Sequence, residues 1–99
     1  MTYVLGPAGQ IPVGEGRAFA VGGEQIAVFR LRDGGLRAVQ AVCPHRGGPL
    51  ADGQIDDGVV ICPLHAHAFD LADGHCATGA PPVRTYPVFE EDGRLMVGN

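Results

Sequence analysis

Glycine and proline occur so often along this chain that long helices have little room to form. The 99 residues include 16 glycines and 8 prolines, and no stretch without either is longer than ten residues, as in residues 24–33. Relative to alanine, glycine destabilises a helix interior by about 1 kcal/mol and proline by about 3 kcal/mol. The sequence therefore favours short strands joined by tight turns, and the predicted fold class is all-β.

Turn residues divide the chain into short apolar segments. Residues 17–21 and 25–31 flank Gly22-Gly23, which is typical of a β-hairpin because glycine adopts a positive φ without strain. Residues 36–42 follow the turn at Asp33-Gly34-Gly35. The later predicted strands are residues 59–61, 69–71, 83–90 and 95–97, and residues 6–16 are predicted to be irregular.

Two short motifs combine cysteine with histidine directly after predicted strands. Cys43 and His45 lie in CPH, Cys62 and His65 lie in CPLH, and 16 positions, residues 46–61, separate the motifs. In Cys-x-His a single residue intervenes, so both side chains reach one tetrahedral ion only with strain. Two adjacent metals suit the spacing better, as in a mixed-ligand [2Fe-2S] cluster with two cysteines on one iron and two histidines on the other.

Three other interpretations of these motifs are open. Structural zinc also accepts two cysteines and two histidines, although its modules favour paired cysteines two to four residues apart. A Cys-His pair can activate a thiol as a nucleophile, but two parallel copies would be redundant. Buried thiols and core histidines without a ligand role would leave the repeated arrangement unexplained.

The chain resembles the Rieske family of [2Fe-2S] proteins in these motifs, which read CPHRGGPL and CPLHAHAFD. The resemblance is most specific over residues 42–82 and extends over residues 1–99 as a single domain. It implies a small antiparallel β sandwich or barrel with a cluster-binding subdomain, at about residues 42–82, formed by two ligand loops. It also implies that Cys43, His45, Cys62 and His65 bind one [2Fe-2S] cluster per chain.

Both ligand loops depart from the high-potential members of that family. Those members carry a further cysteine in each loop and join the loops by a disulfide, whereas this chain has Gly48 and Leu64 at the corresponding positions. They also carry a serine and a tyrosine that donate to sulfur, where this chain has His67 and Phe69. Because fewer donors stabilise the reduced cluster less, we expect a reduction potential near the low end of the family range, roughly −150 mV.

Residues beside the four ligands also fit cluster-binding loops. Pro44 and Pro63 fix the backbone after each cysteine, and Gly47 and Gly48 would let the backbone approach inorganic sulfide. The sequence GAPP at residues 79–82 resembles the proline-rich segment that covers the cluster in the family. For the glycines and for residues 79–82, an ordinary turn is the alternative.

Three further residues that could carry chemistry have simpler interpretations. Cys76 is predicted to be a small core residue rather than a redox-active thiol. His75 is predicted to be solvated in the turn after Asp73 and Gly74, and His67 to be an exposed loop histidine.

Size and charge limit the range of functions. One domain of 99 residues leaves no room for a catalytic domain beside the cluster domain. A net charge of −4 argues against nucleic acid and against anionic membranes as partners. Since no basic leader or long apolar run is present, we expect a cytoplasmic protein. We also expect it to be a monomer when free.

The predicted function is electron transfer without catalysis on a substrate. The preferred hypothesis is a ferredoxin that carries one electron from a flavin-dependent reductase to a terminal oxygenase of the aromatic-ring-hydroxylating type. One alternative is the small subunit of an NADH-dependent assimilatory nitrite reductase, with the large subunit as its partner. The other is a structural zinc domain without a redox role.

Overall fold

The structure, a computed structural model, describes residues 2–44, 47–64 and 66–98. Its described part forms ten strands and two short 3₁₀ turns, at Ala8–Gln10 and Leu50–Asp52, which confirms the all-β class. The strands are β1 Thr2–Pro7, β2 Gly16–Val21, β3 Glu24–Arg30, β4 Leu36–Gln40, β5 Gln54–Asp56, β6 Val59–Ile61, β7 Ala68–Asp70, β8 Thr85–Tyr86, β9 Val88–Glu91 and β10 Arg94–Gly98.

The strands are arranged in three antiparallel sheets. A four-stranded sheet has the order β2-β3-β4-β8, and two three-stranded sheets have the orders β1-β10-β9 and β5-β6-β7. In the third sheet β6 lies between its neighbours and runs directly into Cys62. The sheet β5-β6-β7 therefore presents one of the two sequence motifs at its end.

Tight turns with positive φ at two successive residues connect several hairpins. The φ angles are 57° and 84° at Gly22-Gly23, 48° and 78° at Asp57-Gly58, and 52° and 75° at Asp92-Gly93. Two-residue hairpin loops need this backbone, and Gly-Gly and Asp-Gly supply it at low cost. The predicted hairpin around Gly22-Gly23 is confirmed in register, with Val21 opposite Glu24.

The four-stranded sheet separates two hydrophobic cores. Along β3, Ala27 and Phe29 face one core while Ile26 and Val28 face the other, as the two-residue period of a strand requires. The first core also contains Cys43, Cys62 and Cys76 and lies under the sheet β5-β6-β7. The sequence motifs are thus attached to one core, and the other core is built from residues outside the motifs.

One predicted strand is wrong, and two strands of the structure were not predicted. The single strand predicted over residues 83–90 is wrong, because β8 pairs with β4 whereas β9 pairs with β10. Pro87 lies between them and has no N–H to continue a ladder. Strands β1 and β5 were not predicted. Strand β1 pairs with β10 at the other end of the chain, and its residues Tyr3 and Leu5 pack against the second core.

Candidate metal centre

The two cysteine motifs form loops that are closed by the same pair of backbone hydrogen bonds. The N–H of Cys43 donates to the carbonyl of Gly48 at 2.8 Å, and the N–H of Gly47 donates to the carbonyl of Cys43 at 2.8 Å. In the second loop the N–H of Cys62 donates to His67 at 2.9 Å, and the N–H of Ala66 donates to Cys62 at 3.0 Å. Two different sequences thus give one backbone arrangement around each cysteine.

The fourth residue after each cysteine has a left-handed backbone. The φ angle is 74° at Gly47 and 58° at Ala66. Glycine adopts this conformation freely, but an alanine there costs roughly 1–2 kcal/mol. Strain of this kind is retained where the surrounding structure imposes it, often at functional sites.

Both cysteines of the motifs are buried at the same core. Cys43 is 2% exposed and Cys62 is 1% exposed. Both pack in the core that contains Leu50 and Phe69. Cysteine sulfur is a donor that iron and zinc both accept, so two cysteines buried in one core fit a metal site by their chemistry.

The two loops meet at Gly48. A Cβ atom on this residue would lie 2.7 Å from Sγ of Cys62 and 3.1 Å from Cγ of Leu64. Gly48 and Leu64 are the positions at which high-potential Rieske proteins are expected to carry their disulfide, and the structure brings them together. The close approach also explains why glycine is needed at position 48, because a larger residue would press on the sulfur of Cys62. The sequence alone did not reveal this requirement.

The N–H of Gly47 forms a hydrogen bond within its own loop. Its N–H donates to the carbonyl of Cys43, so the predicted role as a donor to inorganic sulfide receives no support. The requirement for glycine at this position is its positive φ instead.

The two predicted histidine ligands, His45 and His65, lie outside the described residues, as does Arg46. Within the described ranges no group of three or more Cys, His, Asp or Glu side chains is placed to hold a metal ion. The structure therefore places half of the predicted ligand set, namely Cys43 and Cys62. The ligand roles of all four residues stay predictions.

The predicted covering segment, residues 79–82, begins beside the same core. Ala80 packs against the core that contains Cys43 and Cys62, while Pro81 and Pro82 are exposed. Gly79 allows the chain to turn here with a φ of 99°. Its role as a cover for a cluster stays a prediction.

A hydrogen-bonded group of side chains lies behind the second loop. Nδ1 of His67 is 2.7 Å from Oγ1 of Thr78, which is 3.3 Å from Sγ of Cys76. His67 is partly buried rather than fully exposed, and its predicted lack of contact with a cluster stays a prediction. Thr78 was missed because it is eleven residues away in sequence and meets His67 only through strand pairing.

Cys76 is buried as predicted, with 6% exposure, opposite Phe69. Burial raises the pKa of its thiol, but hydrogen bonds from Thr78 and from the N–H of Ala80 outweigh this and hold the pKa below the ordinary value of 9.0. His75 is exposed as predicted, and its N–H donates to Oδ1 of Asp73 at 2.9 Å.

No helix among the described residues is both long and apolar enough to span a membrane.

Known proteins similar to this chain share both its sequence and its fold. The family described as Rieske [2Fe-2S] domain matches residues 1–90. The ferredoxin subunit of anthranilate 1,2-dioxygenase from Burkholderia cepacia is 38% identical over 97 residues, which span 96% of this chain and 89% of that protein.

Two solved structures superpose over nearly the whole chain. A Mycobacterium tuberculosis protein assigned as an NADH-dependent nitrite reductase small subunit has a TM-score of 0.91 at 30% identity, covering 98% of this chain and 93% of that one. A chain from the complex of reduced oxygenase and oxidized ferredoxin in carbazole 1,9a-dioxygenase has a TM-score of 0.86 at 27% identity, covering 97% of this chain and all of that one.

Proposed function

Since this chain belongs to the Rieske [2Fe-2S] domain family, we propose that it carries single electrons from a flavin-dependent reductase to a terminal oxygenase of the ring-hydroxylating type. Similarity to the ferredoxin subunit of anthranilate 1,2-dioxygenase over 96% of the chain supports this role. So does similarity to a structure of oxygenase and ferredoxin in complex. The observation that carries the proposal is the pair of matched loops with buried Cys43 and Cys62.

In this proposal one [2Fe-2S] cluster is held by Cys43 and Cys62 on one iron and by His45 and His65 on the other. When bound, the cluster supplies a one-electron couple whose potential is raised by the two neutral imidazole ligands. The chain contributes two buried cysteines, each with its own N–H and carbonyl hydrogen-bonded within its loop. Ligands that are fixed before metal binding lose little conformational freedom when the metal arrives.

The surface beside the loops suits brief contacts with a partner. Val42, which precedes Cys43, is 44% exposed, and Leu64, which lies between Cys62 and the second histidine, is 55% exposed. In this proposal these two apolar side chains contact the partner beside the cysteine loops. A carrier has to release each partner after the transfer, which small interfaces allow. The carrier is proposed to be a cytoplasmic monomer made of one domain, residues 1–99, and light scattering of the purified protein would report its mass.

The test of the cluster is an electron paramagnetic resonance spectrum of the dithionite-reduced protein, together with iron and sulfide content. We expect a rhombic signal with an average g below that of all-cysteine clusters, and two irons and two sulfides per chain. Cys43→Ser and Cys62→Ser should lose iron, whereas Cys76→Ser, a matched change in the same core, should keep it. Bound zinc without iron would instead support a structural zinc domain.

The test of the pathway is reconstituted turnover. The purified chain, a flavin-dependent reductase and a ring-hydroxylating oxygenase should together consume NADH and oxidise the aromatic substrate. Cys62→Ser should abolish this turnover, and omission of the chain should do the same. Equal turnover with and without the chain would refute its role as the carrier.

A second candidate function is the small subunit of an NADH-dependent nitrite reductase. The specific observation in its favour is the superposition on the Mycobacterium tuberculosis protein with a TM-score of 0.91 at 30% identity. Stable copurification with a large reductase subunit, and no support of oxygenase turnover, would favour this candidate over the ferredoxin role.

A further inference from the structure

Thr78 contacts three groups behind the loop of Cys62. Its Oγ1 lies 2.7 Å from Nδ1 of His67 and 3.3 Å from Sγ of Cys76, and it accepts the N–H of Ala68 at 3.2 Å. A threonine hydroxyl has one proton to donate and two lone pairs to accept. The three partners therefore use the full hydrogen-bonding capacity of this one hydroxyl.

The position of Thr78 follows from strand pairing. Cys76 is bridged to Phe69, and the N–H of Ala77 donates to the carbonyl of Ala68 at 3.0 Å. In this register Thr78 lies opposite His67, and side chains of directly opposite residues share a face. The contact between the hydroxyl and the imidazole is therefore set by the fold.

The partners of Thr78 belong to two different parts of the candidate site. The carbonyl of His67 accepts the N–H of Cys62 at 2.9 Å and so closes the second loop. Sγ of Cys76 accepts the N–H of Ala80 at 3.3 Å, and Ala80 packs against the core that contains both cysteines. One hydroxyl thus connects the residue that closes the loop with residues 79–82.

We propose that Thr78 is a positioning residue for the second ligand loop. Its hydroxyl keeps His67 and residues 79–82 in a fixed relation and thereby holds Cys62 in place. This inference rests on the proposed cluster-binding function. It requires no contact between Thr78 and the cluster.

Two substitutions separate the hydroxyl from the shape of the side chain. Thr78→Val keeps the branched shape and removes the hydrogen bonds, whereas Thr78→Ser keeps the hydroxyl and removes a methyl group. Thr85→Val, the same change at an exposed position of β8, gives the background effect. Two rates are measured on each purified protein: amide hydrogen exchange residue by residue, and the loss of the visible absorption of the cluster.

In Thr78→Val we expect the amide hydrogens of Ala68 and Cys62 to exchange about tenfold faster than in the wild type, a change equivalent to about 1.4 kcal/mol. It should also lose its cluster faster, while Thr78→Ser and Thr85→Val stay close to the wild type. Equal rates for Thr78→Val and Thr78→Ser, whether both changed or both unchanged, would overturn the proposal, because the hydroxyl would then not be the link.

A further variant keeps the proposal testable if Thr78→Val fails to fold. Cys76→Ala removes the two hydrogen bonds that join Thr78 to residues 79–82, so exchange should accelerate at Ala80 and, to a smaller extent, at Cys62. Unchanged exchange at Cys62 would overturn the proposal. A wild-type protein that contains no cluster would refute the proposed function instead, and the exchange rates would still decide whether Thr78 holds the loop.

Discussion

Gly48 offers a sharp test of how closely the two loops approach each other. A Cβ atom at this position would lie 2.7 Å from Sγ of Cys62, whereas ordinary contacts begin at 3.4 Å. In Gly48→Ala the sulfur or the loop must therefore move, and an ordinary contact is reached after 3.4 − 2.7 = 0.7 Å. The same distance for Leu64 is 3.4 − 3.1 = 0.3 Å.

The size of that displacement determines the expected result. Metal-ligand distances tolerate changes of about 0.2 Å, so a sulfur shifted by 0.7 Å is displaced from its ligand position. Overpacking of a well-packed site also destabilises a fold by about 1–3 kcal/mol. We therefore expect Gly48→Ala to lose most of its iron and to unfold at a lower urea concentration.

Gly47→Ala is the matched control, because it changes the neighbouring glycine without crowding the sulfur. The nearest atom to a Cβ at position 47 is Cγ1 of Val42 at 3.8 Å, but the φ of 74° imposes a cost of roughly 1–2 kcal/mol on alanine. Gly47→Ala should thus lose stability and keep iron. Gly9→Ala, with open space around its Cβ, should leave both quantities unchanged.

The assays are iron content per chain, the paramagnetic resonance signal and urea unfolding, each measured on all three variants. Full iron content and an unchanged signal in Gly48→Ala would refute the steric reasoning. Loss of iron in Gly47→Ala to the same degree would also refute it, because general loss of stability would then explain both results.

Three further predictions concern a strained backbone position, an arginine that bridges three carbonyls, and a tyrosine with a raised pKa. Ala66→Gly should raise the free energy of unfolding by about 0.5–1 kcal/mol in a urea titration, because it relieves the φ of 58°, and a decrease would contradict this. Arg30→Met should lower the free energy of unfolding by about 2 kcal/mol, because the guanidinium donates to the carbonyls of Ala8, Ile11 and Gly34. Arg17→Met, at an exposed position, is the control. Burial and the charge of Glu24 raise the pKa of Tyr86 above 10.0 against the opposing effect of Arg84, so its contribution to stability is present below pH 10 and is lost as the pH rises through the raised pKa. Above about pH 10 the free energy of unfolding of the wild type should therefore fall more steeply with pH than that of Tyr86→Phe. Parallel curves for the two proteins would contradict the assignment.

Local chemistry explains which parts of the fold could be predicted. The hairpin at Gly22-Gly23 follows from residues that accept a positive φ, and this requirement is visible in two letters of sequence. Strand β1 has no such signal, because it is stabilised by pairing with β10 from the opposite end of the chain. The break at Pro87 separates strands of two different sheets, and a window of apolar residues does not show that change of partner.

The candidate site divides in the same way. The placement of Cys43 and Cys62 in loops after two strands could be predicted, whereas their role as ligands stays a prediction. The contact of His67 with Thr78 could not be predicted, because it depends on the register between β7 and residues 75–78. The reason for glycine at position 48 was equally hidden, since the crowding sulfur belongs to the other loop.

The repeated closure of the two loops bears on how the metal and the fold depend on each other. Each cysteine has its own N–H and carbonyl hydrogen-bonded within its loop, so neither cysteine needs the metal to pair its backbone groups. The second core, built around Ile26, Val28 and Leu95, contains no residue of either motif. Small metal domains whose fold depends on the ion unfold when the metal is removed. In this chain we expect the three sheets and the second core to remain folded when metal is lost.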